Sequence, residues 1–186
     1  MKRGPGAVRI EAGELKGRGV RVPRGARPTE GRVRGALFSI WGERLAGARF
    51  LDLFAGSGAV GLEALSRGAL AAVFVEGGRD AAATLADNLR LAPPHATRLV
   101  RGSVPEILAG LRREEDPFDL LFADPPYDWQ VTSELLAELA ELALPGAELA
   151  VEHSRRNPPP ELAPGWVRRD LRRYGESALA LYGRTA

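Results

Sequence analysis

The stretch richest in chemistry is Asp124-Pro125-Pro126-Tyr127. It follows the apolar run 120–123, short and apolar enough to be a strand buried on both faces. Proline cannot donate to a strand ladder, so that strand has to stop at Asp124. A carboxylate, a stiff carbonyl-bearing turn and an aromatic ring are thereby presented together at the carboxyl edge of a sheet, where open α/β folds bind ligands. Such a set suits the exocyclic amine of a nucleobase, whose lone pair is delocalised into the ring. Asp124 and the Pro125 carbonyl can accept its two N–H bonds and hold it toward tetrahedral geometry, with the lone pair aimed at an electrophilic methyl group. Tyr127 offers a face on which a base can stack. The plainer reading is a Pro-Pro turn after a buried strand, with Asp124 capping it.

A second set lies upstream. Gly56, Gly58 and Gly61 satisfy G-x-G-x-x-G between a strand pattern at 49–54 and a helical pattern that carries Leu62 and Leu65 to a C-capping Gly68. Glycines there permit a tight turn and close approach of a cofactor to the backbone. Twenty residues beyond Gly56 the apolar run 72–75 ends in Glu76, which can accept hydrogen bonds from both hydroxyls of a ribose. Two cofactors meet these conditions. A dinucleotide would lay its pyrophosphate over the helix N-terminus. S-adenosylmethionine has no phosphate, carries a sulfonium cation and tolerates a nearby carboxylate. Asp52, just ahead of the loop, favours the second unless it is only a capping acid. No second domain remains to house a hydride acceptor, which also counts against a dinucleotide. After a third strand at 97–100, Gly102-Ser103-Val104 can hold an adenine, although Ser103 reads equally as the N-cap of a helix over 105–111.

Composition narrows the classes. The chain's 186 residues, 45% of them hydrophobic, make one substantial domain with room for a small appendage. No run approaches the roughly 18–20 apolar residues of a membrane span. The start, Met1-Lys2-Arg3-Gly4-Pro5-Gly6, is basic with no apolar block behind it, so no export signal is expected and the cytoplasm is the default. There is no cysteine, and the two histidines, His95 and His153, are far apart. Neither a metal site nor a Ser-His-Asp triad is expected from that inventory. Residues 1–49 hold 12 Lys/Arg against 4 Asp/Glu, and residues 50–186 hold 14 against 20, for net charges of +8 and −6. A basic arm on an acidic body points to a polyanion met by the front of the chain. Arginine supplies 24 of the 26 basic residues, which suits bidentate phosphate contacts but also follows from genomic composition.

The elements that must position these residues can be read in order. Runs 8–11 and 20–22 form two short strands around a glycine-rich turn, a basic hairpin bearing Arg9, Lys16, Arg18, Arg21 and Arg24. Arg27-Pro28-Thr29-Glu30 opens a helix with Thr29 as N-cap and an apolar stripe of Val33, Ala36, Leu37, Ile40 and Trp41. Arg32 and Arg34 lie off that stripe, free to meet phosphate or to form ion pairs. Further helices are expected over 79–91 and 129–142, and a fifth strand over 148–152 after a turn at Pro145-Gly146. Two strands, 166–174 and 177–182, close the chain as an antiparallel hairpin. Alternating strand–helix units followed by such a hairpin describe a doubly wound α/β sheet. We expect a basic extension over residues 1–45 and a main domain over 46–186.

Together these features resemble a class I S-adenosylmethionine-dependent methyltransferase of the amino-methylating type. The detail goes further. Arg9-Ile10-x-Ala12-Gly13-x-x-Lys16-Gly17-Arg18, Arg27-Pro28-Thr29-x-x-Arg32-Val33-Arg34 and Leu51-Asp52-Leu53-Phe54-Ala55-Gly56-Ser57-Gly58-x-x-Gly61 resemble the RsmD family of bacterial 16S rRNA guanine-N2 methyltransferases. That resemblance implies a Rossmann-like, mostly parallel seven-stranded sheet and a methyl transfer to guanine N2 in small-subunit rRNA during ribosome biogenesis. It implies cofactor contacts from Asp52, Phe54, Ala55, Gly56, Ser57, Gly58 and Gly61, with Glu76 on the ribose and Ser103 and Val104 at the adenine. Thr29 would close over the cofactor, and Asp124, Pro125, Pro126 and Tyr127 would be catalytic. Arg9, Lys16, Arg18, Arg21, Arg27, Arg32 and Arg34 would face RNA, and a monomer acting on an assembled or assembling subunit is expected. On residue chemistry alone the target amine stays open between guanine N2, adenine N6 and cytosine N4. A DNA adenine methyltransferase, an NAD-binding Rossmann protein and a non-catalytic RNA-binding protein are the competing readings.

Overall fold

In the computed structural model, which describes residues 6–25 and 31–185, the apolar runs form the parallel middle of one twisted sheet. Its strands are β3 (Arg49–Leu53), β4 (Ala71–Glu76), β5 (Thr97–Arg101), β6 (Phe118–Ala123), β7 (Ala143–Ser154), β8 (Leu162–Ala163), β9 (Trp166–Tyr174) and β10 (Ser177–Arg184). They lie in the order β5-β4-β3-β6-β7-β10-β9-β8. The first five run parallel, and β10, β9 and β8 add antiparallel to the β7 side. The seven expected strands are all there. The eighth, β8, is a two-residue edge strand beside β9 that carries too little pattern to be read from sequence. This is the doubly wound, mostly parallel architecture that the strand–helix alternation predicts.

Helices cover both faces because strands so uniformly apolar must be buried on both. α1 (Gly31–Trp41), α2 (Ala59–Ser66) and α3 (Arg79–Asn88) lie on one side, where Phe50, Phe74, Leu120, Phe122 and Ala150 meet Val33, Leu37, Phe38 and Trp41. Trp41 stands edge-on to Phe50 at 5.6 Å, a core residue. α4 (Leu108–Glu114) and α5 (Ser133–Ala140) cover Leu51, Leu53, Val73, Val75 and Leu121 on the other. Pro145-Gly146 does not separate two elements, as expected, but sits inside β7 where its register against β6 slips. Gly146 takes φ +80°, which absorbs the irregularity.

The hairpin of β1 (Ala7–Arg9) and β2 (Gly19–Arg21) forms its own antiparallel pair. Polar side chains of α2 and α3 hold it against the main sheet. Glu63, fully buried, accepts the Glu11 and Ala12 N–H groups at 2.7 and 3.0 Å. Ser66 accepts from the Leu15 N–H and donates to the Ala12 carbonyl. Gly13, at φ +79°, passes so close to Ser66 that an added Cβ would lie 1.6 Å from its carbonyl oxygen. Only glycine fits there.

Candidate active site

Sheet order decides where a ligand can sit. From β3 the chain crosses outward to β4 and β5, then returns to the other side of β3 as β6. The crevice at the carboxyl ends of β3 and β6 is therefore the topological switch point, the preferred ligand site of this architecture. Leu53 and Ala123 are register partners there. The glycine loop leaves one strand and Asp124-Pro125-Pro126-Tyr127 leaves the other, side by side.

The three glycines serve three purposes. Gly56, at φ +54°, turns the chain, and a Cβ on it would meet nothing closer than 3.9 Å, so its outer side is open to a ligand. Gly58 takes φ +77° and sits where a Cβ would lie 2.4 Å from Leu85. Gly61 lets α2 press on the sheet, since its Cβ would fall 2.3 Å from the Phe74 ring. Asp52, 1% exposed, accepts the Gly61 N–H at 2.9 Å and so satisfies an orphan donor in the first turn of α2. Its capping role is real. Burial, aided by the negative charges of Asp124 and Glu76, pushes its carboxyl well above the usual range, against the opposing pull of the Gly61 N–H. A cation bound nearby would relieve that crowding of charge; a pyrophosphate would add to it.

Glu76 is held before any ligand arrives. Its two carboxylate oxygens accept the N–H groups of Gly56 and Gly78 at 2.8 and 2.6 Å. Each oxygen retains a lone pair for a hydroxyl. Beside it opens a cleft of about 280 Å³ lined by Phe54, Glu76, Ser103, Val104, Pro126 and Trp129, with Gly77, Gly78 and Gly102 forming part of its wall. A carboxylate among mostly apolar lining side chains suits an adenosine. Phe54 has φ +59°, a left-handed conformation that costs a non-glycine residue of order 1–3 kcal/mol. Its ring meets that of Trp129, which also lines the cleft, edge-on at 5.0 Å.

The structure brings together Asp52, Phe54, Gly56, Glu76, Ser103, Val104 and the Asp-Pro-Pro-Tyr turn, and corrects three expectations. Ser103 does not cap a helix from 105: α4 starts at Leu108, and the Ser103 hydroxyl instead donates to Glu106 at 2.5 Å. The helix expected over 129–142 spans only Ser133–Ala140, with Thr132 as its N-cap at 3.3 Å from the Leu135 nitrogen. That frees Trp129 to line the cleft, a role that the sequence pattern hides by absorbing it into the helix. Arg34, expected to meet phosphate or to form an ion pair and, by the resemblance, to face RNA, takes the ion pair: it is 4% exposed and donates to Glu11 at 2.6 Å and to the Arg9 carbonyl at 3.0 Å. It is a buried ion-pair partner. Arg9, Lys16, Arg18, Arg21 and Arg32 are exposed, and Arg21 pairs with Asp87. Arg27 and Thr29 lie outside the described residues.

Around the turn, Pro125 is buried while Tyr127 is 46% exposed. The Tyr127 hydroxyl donates to the Glu176 carbonyl in the β9–β10 turn at 3.1 Å, which ties the exposed ring to that turn. Asn157 donates to the Tyr127 carbonyl, and the Trp129 backbone N–H to that of Pro126 at 2.8 Å. Among the described residues no group of histidines and carboxylates is arranged to hold a metal ion, and no helix is long and apolar enough to cross a membrane.

Comparison with known proteins comes out consistently. The family described as Conserved hypothetical protein 95 matches residues 8–183. Over 188 residues the chain is 36% identical to Ribosomal RNA small subunit methyltransferase D of Escherichia coli (strain K12), spanning 98% of this chain and 93% of that one. Among solved structures, Escherichia coli yhhF superposes with a TM-score of 0.84 at 34% identity, over 97% of this chain and 99% of that one. A hypothetical protein of Thermus thermophilus superposes with a TM-score of 0.77 at 36% identity, over 94% and 98% of the two chains.

Proposed function

The chain belongs to the RsmD family, matched as Conserved hypothetical protein 95, and on that premise we propose that it is an S-adenosylmethionine-dependent rRNA methyltransferase acting on the exocyclic N2 of a guanine in small-subunit rRNA. The observation that carries this reading is the adjacency of the glycine loop and Asp124-Pro125-Pro126-Tyr127 at one switch point.

S-adenosylmethionine supplies an already activated methyl group on a sulfonium. Glu76 would bind its ribose hydroxyls, Phe54, Val104 and Trp129, which line the cleft, would hold the adenine, and the open side of Gly56 would admit the tail to the backbone. Asp124 and the Pro125 carbonyl accept the two hydrogens of the amine and turn its lone pair toward the methyl carbon. As the N–C bond forms and the C–S bond breaks, positive charge develops on nitrogen, and Asp124 stabilises it. The methylated ammonium, strongly acidic, then gives one proton to water while S-adenosylhomocysteine leaves as the neutral thioether, so no strong base is required. Positioning and exclusion of water do most of the work. Tyr127, anchored through its hydroxyl, stacks on a base that has left its helix. The exposed cations of the β1–β2 hairpin hold the RNA backbone.

The test offers methyl-labelled S-adenosylmethionine with three acceptors: small-subunit particles, naked small-subunit rRNA and duplex DNA. Label in an rRNA sample is the expected result. Label confined to DNA would keep the chemistry of Asp124 and overturn the substrate.

A further inference from the structure

We propose that Glu152 identifies the target base as guanine, by accepting the N1–H hydrogen bond next to the amine that Asp124 holds. This inference rests on the reading above, that the acceptor is a guanine C2 amine. What points to it is a juxtaposition at the carboxyl edge of the sheet. β6 and β7 run parallel with Phe122 beside Ala150 and Ala123 beside Val151. The next residues along the two strands, Asp124 and Glu152, therefore stand at one level. Phe122 and Ala150 belong to the core layer with α1, α2 and α3, while Ala123 and Val151 belong to the opposite layer. Side chains alternate along a strand, so Asp124 and Glu152 both return to the first face. Phe50 packs on that face too, and Asp52, two residues on, shares it. Glu152 thus extends the row of carboxylates one strand beyond Asp124, away from the cofactor cleft and toward where the rest of the base must lie.

Base chemistry assigns it a task. Asp-Pro-Pro-Tyr can serve the amine of guanine, adenine or cytosine, but only guanine carries a ring N–H next to that amine. Adenine N1 and cytosine N3 present a lone pair instead, which would face a carboxylate oxygen. Neighbouring strands are about 4.8 Å apart, so carboxylates on two of them can take adjacent donors of one base edge. Glu152 is 7% exposed, and burial makes the choice sharper. In a low dielectric the bond to N1–H is stronger and a lone pair set against the carboxylate is penalised more.

The test uses small-subunit rRNA assembled with a synthetic segment that carries either guanine or 2-aminopurine at the methylated position. 2-Aminopurine keeps the C2 amine and lacks N1–H. Wild-type protein is expected to favour guanine by about 10–100-fold in kcat/KM. Glu152→Gln should lose most of that preference through slower guanine turnover, with S-adenosylhomocysteine affinity and melting temperature unchanged. Glu152→Asp keeps the charge but retracts it by one methylene, and should slow guanine turnover by about 10-fold, a figure in the range of one misplaced contact. An undiminished preference in Glu152→Gln, or wild-type turnover in Glu152→Asp, would overturn the assignment while leaving N2 methylation standing. No transfer by the wild type to either base would overturn both.

Discussion

Asp124 and Asp52 are both acids at strand ends, yet their surroundings differ and so do their duties. Asp124 lies at the switch point, only partly buried, next to a fixed proline turn. Replacing it with alanine should lower turnover by about 100–1000-fold, as for the loss of one transition-state contact, while calorimetry still finds cofactor binding. Loss of that binding would remove Asp124 from its assigned role. Asp52 is buried and its carboxyl is raised well above the ordinary value, chiefly by burial. Between its ordinary and its raised value the folded chain keeps a proton that the unfolded chain has released, so stability falls as pH rises through that window. Asp52→Asn still offers an oxygen to the Gly61 N–H without carrying the charge. It should flatten that slope in melting curves against pH and leave the protein at least as stable at pH 7, while S-adenosylmethionine binds more weakly. A variant with the wild-type slope would show that another group sets it. These roles were only partly legible. The letters of the glycine loop and of Asp-Pro-Pro-Tyr stand in the sequence, but the Phe54–Trp129 contact depends on a left-handed Phe54 and on a helix that starts four residues later than its pattern.

At the scale of elements, periodicity marked every long strand, and glycine and proline marked most of the joints. It failed where a polar group chose a different partner. Arg34 looked solvent-facing because Val33, Leu37 and Trp41 define the stripe of α1, but the hairpin packs over that side of the helix and buries it. Polar residues also decide how the hairpin is joined to the glycine loop. The Asn88 amide, buried in α3, accepts the Arg21 N–H at 3.1 Å and donates to the carbonyls of Arg21 and Ser57 at 2.8 and 2.9 Å. One side chain thereby ties β2 to the glycine loop. Asn88→Ala should cost about 1–3 kcal/mol, the range for leaving buried partners unsatisfied. Hydrogen exchange should quicken in β2 and around Ser57 together, and quickening in only one of them would mean that the two are held independently. Gly61→Ala tests the opposite side of the loop. The added methyl must displace the Phe74 ring, at a cost of about 1–3 kcal/mol, so a melting temperature equal to wild type would show that α2 is not packed as described.

On the scale of the whole molecule, charge is divided between a basic front and an acidic body, and the structure shows which cations are available. Arg9, Lys16 and Arg18 are exposed on the hairpin, while Arg34 is internal. Removing Lys16 or Arg18 should weaken rRNA binding and lower the salt slope by about 1 for each phosphate left without its cation. Arg34→Ala should instead lower the melting temperature, because it leaves Glu11 without its buried partner. Net charge alone foretold a polyanion partner but could not sort these arginines, since sorting them requires the packing of the hairpin against α1 and α2. In the proposed function, substrate, cofactor and the Asp124-Pro125-Pro126-Tyr127 turn converge on one atom, the exocyclic nitrogen of a guanine. The most direct test is a nucleoside digest of small-subunit rRNA after incubation with the protein and methyl-labelled S-adenosylmethionine. N2-methylguanosine is expected as the single labelled nucleoside with the wild type, and no label with Asp124→Ala. Label in N6-methyladenosine or N4-methylcytidine, or equal label with the Asp124 variant, would contradict the assignment.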